Sequence, residues 1–129
     1  MASKRKILTR LMPATRTVRR LREMGYVADM AELSMGLVRK DWGNFADLIA
    51  IRPDEFCCPE VLLVQATGYG EIRKRERKVL MSPDAYDCVR AGCRVQVWGW
   101  DRRHEAPKII DLSDLGRYEP LPDGHPDRI

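Results

Sequence analysis

The chain has 129 residues and a mass of 14.9 kDa, with 44% hydrophobic and 33% charged residues, an ordinary balance for one compact domain with a real core. Lys and Arg total 23 against 19 Asp and Glu, a net charge of +4 and a pI near 9.0, which permits a nucleic-acid partner without requiring one. No apolar run approaches the roughly 18–20 residues of a membrane span, and Lys4-Arg5-Lys6 is followed only by Ile7-Leu8 before Arg10. The expectation is a soluble cytoplasmic protein with no membrane association.

In chain order, Thr15 or Thr17 can cap a helix running to about Met24, with Gly25 as its stop. Tyr26 to Leu33 reads as a strand, and Ser34 to Asn44 as a loop with two glycines and the charged Arg39-Lys40-Asp41. Phe45 to Ile51 is a short apolar strand broken by Asp47, and Arg52 to Glu60, with two prolines, is a connecting turn. Val61 to Thr67 is the strongest strand signal, a β-branched run suited to a central strand covered on both faces. Ser82-Pro83-Asp84 starts a helix that reaches about Ala91 and stops at Gly92. Arg94 to Trp100 is a strand with Val95, Val97 and Gly99 on one side and Gln96, Trp98 and Trp100 on the other. The fold class is α/β, with the order helix, strand, strand, strand, helix, strand and a mixed central sheet. Residues 1–14 form a basic arm, 15–110 the core, and 111–129 an irregular acidic and Pro-rich tail.

Charge is uneven along the chain. Met1 to Arg22 holds eight basic residues and no acid, and Arg73-Lys74-Arg75-Glu76-Arg77-Lys78 holds five bases and one acid. From Asp101 onward seven acids face five bases. Two basic patches on a balanced domain suit backbone phosphates, so DNA is the expected partner. A solvated helix face and a plain arm are the structural alternative. Cys57, Cys58, Cys88 and Cys93 form no C-x-x-C pair and have no histidine at ligand spacing, so reduced thiols are expected rather than a zinc site.

The candidate chemistry lies in the apolar strands. An acid inside Phe45–Ile51 is costly to bury unless it is paired or holds a cation. Gln65 and Thr67, two residues apart on a strand, project from one face. The Asp47 carboxylate, the Gln65 side-chain oxygen and the Ala66 carbonyl form a set of hard oxygen donors for magnesium (Mg2+) or manganese (Mn2+), with Glu32 as a further carboxylate. A structural ion pair at Asp47, and backbone contacts at Gln65 and Thr67, are the competing readings. Trp98 and Trp100 read as packing residues, and Tyr69 between two glycines as a turn residue or a loop residue beside substrate.

Over Thr15 to Arg103 this layout resembles the PD-(D/E)XK nuclease superfamily, in particular small phage or bacterial Holliday-junction resolvase-like and restriction-endonuclease-like members. The phrases that carry the likeness are Phe45-Ala46-Asp47-Leu48, Leu63-Val64-Gln65-Ala66-Thr67 and Gly99-Trp100. The resemblance makes Asp47 the metal-binding acid of the "PD" half and puts Gln65-Ala66-Thr67 at the (D/E)-x-K position. It matches Glu32 to an extra upstream acid. The chain departs from the pattern by having Gln65 for the second acid and Thr67 for the lysine; Lys78 or Arg73 would then supply the missing positive charge. What the resemblance implies is a Mg2+-dependent endodeoxyribonuclease hydrolysing phosphodiester bonds, branched DNA included, with a homodimer expected on symmetric DNA. The alternative it leaves is a catalytically inactive nuclease-fold protein that binds nucleic acid or protein.

Overall fold

The computed structural model describes residues 12–31, 33–35, 38–53 and 59–114. Their elements, in order, are helix α1 (Pro13–Glu23), strands β1 (Val27–Met30), β2 (Leu33–Met35), β3 (Val38–Lys40), β4 (Leu48–Pro53) and β5 (Pro59–Gly68), a 3-10 turn (Tyr69–Glu71), helices α2 (Ile72–Leu80) and α3 (Pro83–Arg90), and strands β6 (Arg94–Trp100) and β7 (Lys108–Asp111). The fold is α/β. One five-stranded mixed sheet has the order β1-β4-β5-β6-β7, and β2 and β3 form a separate hairpin. β1 and β4, β4 and β5, and β6 and β7 pair antiparallel, while β5 and β6 run parallel, joined by the crossover through α2 and α3.

The central strands β5 and β6 are buried on both faces. Leu62, Val64, Trp98 and Trp100 face α1, where Val18 and Leu21 meet them. Leu63, Val95 and Val97 face the other way, towards Ile72 and Val79 of α2 and Ala85 of α3. The alternation expected within β6 is therefore present. β5 is central, and its apolar run contributes to both cores.

Several boundaries differ from the sequence reading. Helix α1 begins at Pro13, earlier than a Thr15 or Thr17 cap would allow; Thr17 lies inside it and its hydroxyl donates to the Pro13 carbonyl at 2.8 Å. The expected Tyr26–Leu33 strand stops at Met30, and part of the expected 34–44 loop is the β2–β3 hairpin. Phe45 belongs to a turn and Ala46 to an isolated bridge with Trp42, so β4 starts at Leu48 and Asp47 stands immediately before it. The basic run after Gly70 is helix α2, whose buried stripe consists of Ile72 and Val79. Beyond 110 the sheet takes in Asp111, and Leu112 is buried with its N–H donating to the Val95 carbonyl at 2.8 Å. Helix α3 follows expectation: the Ser82 hydroxyl accepts from the Ala85 N–H, Pro83 fills the first turn, and Gly92 at φ 101° follows its end.

The strand registers divide the sheet into two ends. At one end, Glu60 accepts from the Tyr26 hydroxyl at 2.7 Å, Arg52 Nε at 2.8 Å and Arg94 Nη1 at 2.8 Å, and Arg94 also reaches Asp111. This network ties α1's exit to β4, β5, β6 and β7. At the other end β4 and β7 start while β5 and β6 finish, so Asp47, Gly68, Trp100 and Lys108 stand along one rim. Among the described residues no helix is long and apolar enough to cross a membrane.

Candidate functional site

Asp47 stands at the rim, held from both sides through its backbone. Its N–H donates to the Val64 carbonyl at 2.9 Å, and its carbonyl accepts from the Ala31 N–H at 2.8 Å. With Ala46 and Leu48 fully buried on either side, its carboxyl has little water, only 9% of the residue being exposed. One oxygen, Oδ2, accepts from Gln65 Nε2 at 2.7 Å and from the Ala66 N–H at 2.9 Å.

Asp41 is the partner that the sequence reading lacks. An antiparallel bridge joins Trp42 to Ala46 around a tight turn in which Gly43 and Asn44 both adopt positive φ, 60° and 64°. The turn folds the chain back so that the acids on either side of the bridge, Asp41 and Asp47, come together and hydrogen-bond through their side chains. Lys78 of α2 donates to Asp41 Oδ2 at 2.7 Å. The Gly43-Asn44 pair is the sequence signal for that turn; the loop reading stopped at Asn44 and left Asp41 among surface charges.

The two carboxyls are pushed apart in acidity. Burial, and then the hydrogen bond with Asp41, push Asp47 up to about 7, against the Ala66 N–H and Lys78, which favour its ionised form. Burial acts in the same direction on Asp41, but hydrogen bonds from Asp47 and Lys78 outweigh it and hold that carboxyl below its usual range. The two carboxyls therefore titrate as a pair, and burial beside Asp41 keeps a proton on Asp47 to well above the usual carboxylate range.

The other expected residues fall as follows. Gln65 is 2% exposed and bonded to Asp47, while its Oε1 is buried without a hydrogen-bond partner. Ala66 meets Asp47 through its N–H. Thr67 is buried on the same face of β5 as Gln65, one step nearer the rim, and no hydrogen bond joins it to Asp47. Lys78 is in the site. Arg73 is exposed and pairs along its own helix with Glu76 at 3.1 Å. At about 100° per residue it lies on the opposite flank of α2 from Lys78. Arg75, on the Lys78 flank, is the base whose charge is felt at Asp41, and its buried Nε has no hydrogen-bond partner. Glu32, Cys57, Cys58 and His125 lie outside the described residues. Cys88 and Cys93 are free and half-buried, and burial raises both thiols. Trp98 and Trp100 are buried, their indole N–H groups donating to Gln96 and Thr17.

Chemically, the rim offers two coupled carboxyls, an amide oxygen lacking a donor, and an ammonium with a guanidinium nearby. Oxygen donors of this kind suit a hard divalent cation that keeps several waters. Among the described residues no group of three His, Cys, Asp or Glu side chains makes a fuller cage. Comparison with protein-family models, curated proteins and solved structures returns no match.

Proposed function

We propose that this protein is a metal-dependent endonuclease that hydrolyses DNA phosphodiester bonds, with a restriction-endonuclease-like core of the PD-(D/E)XK kind. The observation that carries the reading is the Asp41–Asp47 carboxyl pair at the open rim, Asp47 buried and Asp41 partly so, with Gln65 and Lys78 bonded to it. The element order supports it: a helix, three strands paired antiparallel within the sheet (β1, β4, β5), a helical crossover and a parallel strand. That is the order the resemblance implies, with the β2–β3 hairpin inserted.

Asp47, Asp41 and Gln65 Oε1 would hold Mg2+ or Mn2+. A bound cation would polarise the phosphoryl oxygen and lower the pKa of an attacking water. Asp47 sheds its proton before it ligates, which ties cation affinity to pH around neutrality. Lys78 and Arg75 supply positive charge for the pentavalent phosphate that builds up during attack. Lys78, anchored on Asp41, thereby takes over the part that a lysine at position 67 would play.

A second reading rests on Gln65 and Thr67 standing where the motif has an acid and a lysine: a silent nuclease fold that binds nucleic acid. Incubating labelled duplex, single-stranded and four-way-junction DNA with Mg2+ or Mn2+, beside Asp47→Ala, separates the two. Metal-dependent cutting that disappears in the variant supports the nuclease. Salt-sensitive binding of DNA with no substrate cut sinks it in favour of the binding module.

A further inference from the structure

At the same rim, a cleft of about 620 Å³ opens between the 3-10 turn and the β6–β7 loop, lined by Tyr69, Asp101, Arg103, His104, Glu105 and Lys108 among others. Its walls are built. The loop is fastened from below by Arg16 of α1, whose guanidinium donates to the carbonyls of Asp101 at 3.0 Å and His104 at 2.8 Å while stacked 4.3 Å over the Trp100 ring. The Asp101 carboxylate is occupied by the Arg103 N–H at 2.7 Å and by His104 at 3.5 Å. Tyr69 is 49% exposed, flanked by Gly68 and Gly70, which have no atoms crowding them, and Lys108 Nζ lies 5.7 Å from its ring centroid.

The position of the cleft follows from the register. Thr67 pairs with Gly99 and Gly99 with Lys108, so these three residues form one row on the face that carries Gln65. Two strand spacings put Lys108 about 10 Å from Thr67.

We infer that this cleft is a second nucleic-acid subsite, in which an unpaired base of the strand leaving the Asp41–Asp47 site stacks on Tyr69 and its phosphate meets Lys108 and Arg103. The inference rests on the proposed function and adds where the substrate is gripped and in what form. A half-exposed aromatic ring with a cation over it offers a flat, sequence-tolerant platform for any base. A paired base has no free face to offer, so the subsite selects single strands, frayed ends and the unpaired arms of branched DNA.

The test is fluorescence anisotropy of short labelled single-stranded DNA and of the same sequence as blunt duplex, in EDTA, where no cutting interferes. The proteins are the wild type, Tyr69→Leu, Tyr69→Phe and Lys108→Gln, with metal-dependent cutting measured in parallel. Tyr69→Leu should weaken single-strand binding by about tenfold, leave duplex binding within about twofold, and be rescued by Tyr69→Phe. Lys108→Gln should lower the slope of log affinity against log salt by about one. Equal affinity of Tyr69→Leu and wild type for the single strand overturns the subsite, and cutting that still needs metal and Asp47 would leave the nuclease reading standing. A wild-type protein that neither binds nor cuts DNA overturns both. Thermal unfolding of Tyr69→Leu at the wild-type temperature shows that any loss comes from the ring and not from the fold.

Discussion

Gln65 donates from Nε2 to Asp47 Oδ2 at 2.7 Å, so a neutral amide is hydrogen-bonded to the buried acid at the rim of the sheet. A carboxylate at position 65 would face the Asp41–Asp47 pair as a third acid in a partly buried corner. The amide avoids that repulsion and saturates one oxygen of Asp47 together with the Ala66 N–H. It also leaves its own oxygen without a donor. The arrangement carries less repulsion without a cation than three acids would, and attracts one less strongly.

Gln65→Glu should therefore reverse the balance. In EDTA at pH 8 the variant should be less stable than the wild type by about 1–3 kcal/mol, from the added buried charge. Mn2+ should restore more stability to it than to the wild type. Urea unfolding with and without metal measures both, and an equal metal response in the two proteins would count against Gln65 as a ligand.

Asp47→Asn should raise stability at alkaline pH while abolishing metal-dependent cutting. With Asp47 raised to about 7 from an ordinary 3.8, the folded chain holds a proton between those values that the unfolded chain has lost. Stability contributed here therefore falls as pH rises from about 4 towards 7 and stays reduced above it. An asparagine keeps the neutral form at every pH and still donates to Asp41. The variant should gain on the order of 2 kcal/mol over the wild type at pH 8 and little at pH 4. Denaturant midpoints at the two pH values are the readout.

Glu60 titrates in the opposite sense. Its hydrogen bond from Tyr26 comes first, and with those from Arg52 and Arg94 outweighs burial and holds the carboxyl down to about 2, below its ordinary 4.5. The stabilisation is full above about 4.5 and disappears as pH falls through 2. Glu60→Gln should lose about 1–3 kcal/mol at pH 7 and much less at pH 2.5. Because this network closes the far end of the sheet, cutting by the folded variant at low temperature should match the wild type.

Gly99→Ala probes the seat of α2. A Cβ at position 99 would come 2.7 Å from Ile72 Cδ1 and 3.3 Å from Ile72 Cβ, so the Ile72 side chain, or the first turn that carries it, must shift. Overpacking of this kind costs about 1–3 kcal/mol. Ile72→Val removes the closest atom, and the double variant should recover about half of the loss. A single variant as stable as wild type would show that the helix gives way freely.

How much of this was legible in the sequence depended on whether the signal was local. The Ser82-Pro83 start, the Val61–Thr67 strand and the alternation from Val95 to Trp100 are written in adjacent residues and stand as read. Helix α2 was missed because only Ile72 and Val79 of its nine residues are buried, too narrow a stripe to stand out from a run of charges. β7 was missed because its residues Lys108 to Asp111 are mostly exposed and gain their strand character from pairing with β6. Asp47, Gln65 and Lys78 were read as site residues and meet in the structure. Asp41 was not, because its role comes from a turn that reverses the chain at Gly43-Asn44 and not from any periodicity.

The clasp between Arg16 and the β6–β7 loop bears on the order in which the chain can fold. Arg16 is only 6% exposed, and its guanidinium donates to carbonyls 85 and 88 residues further on. On a ribosome, α1 emerges long before those carbonyls exist, and docking it early would bury a guanidinium with nothing to receive its protons. The helix must wait until β6 and its following turn have been synthesised, so the first of the described elements is among the last to settle. Until then the apolar face of the sheet that α1 covers is open, and a chaperone has that interval in which to act.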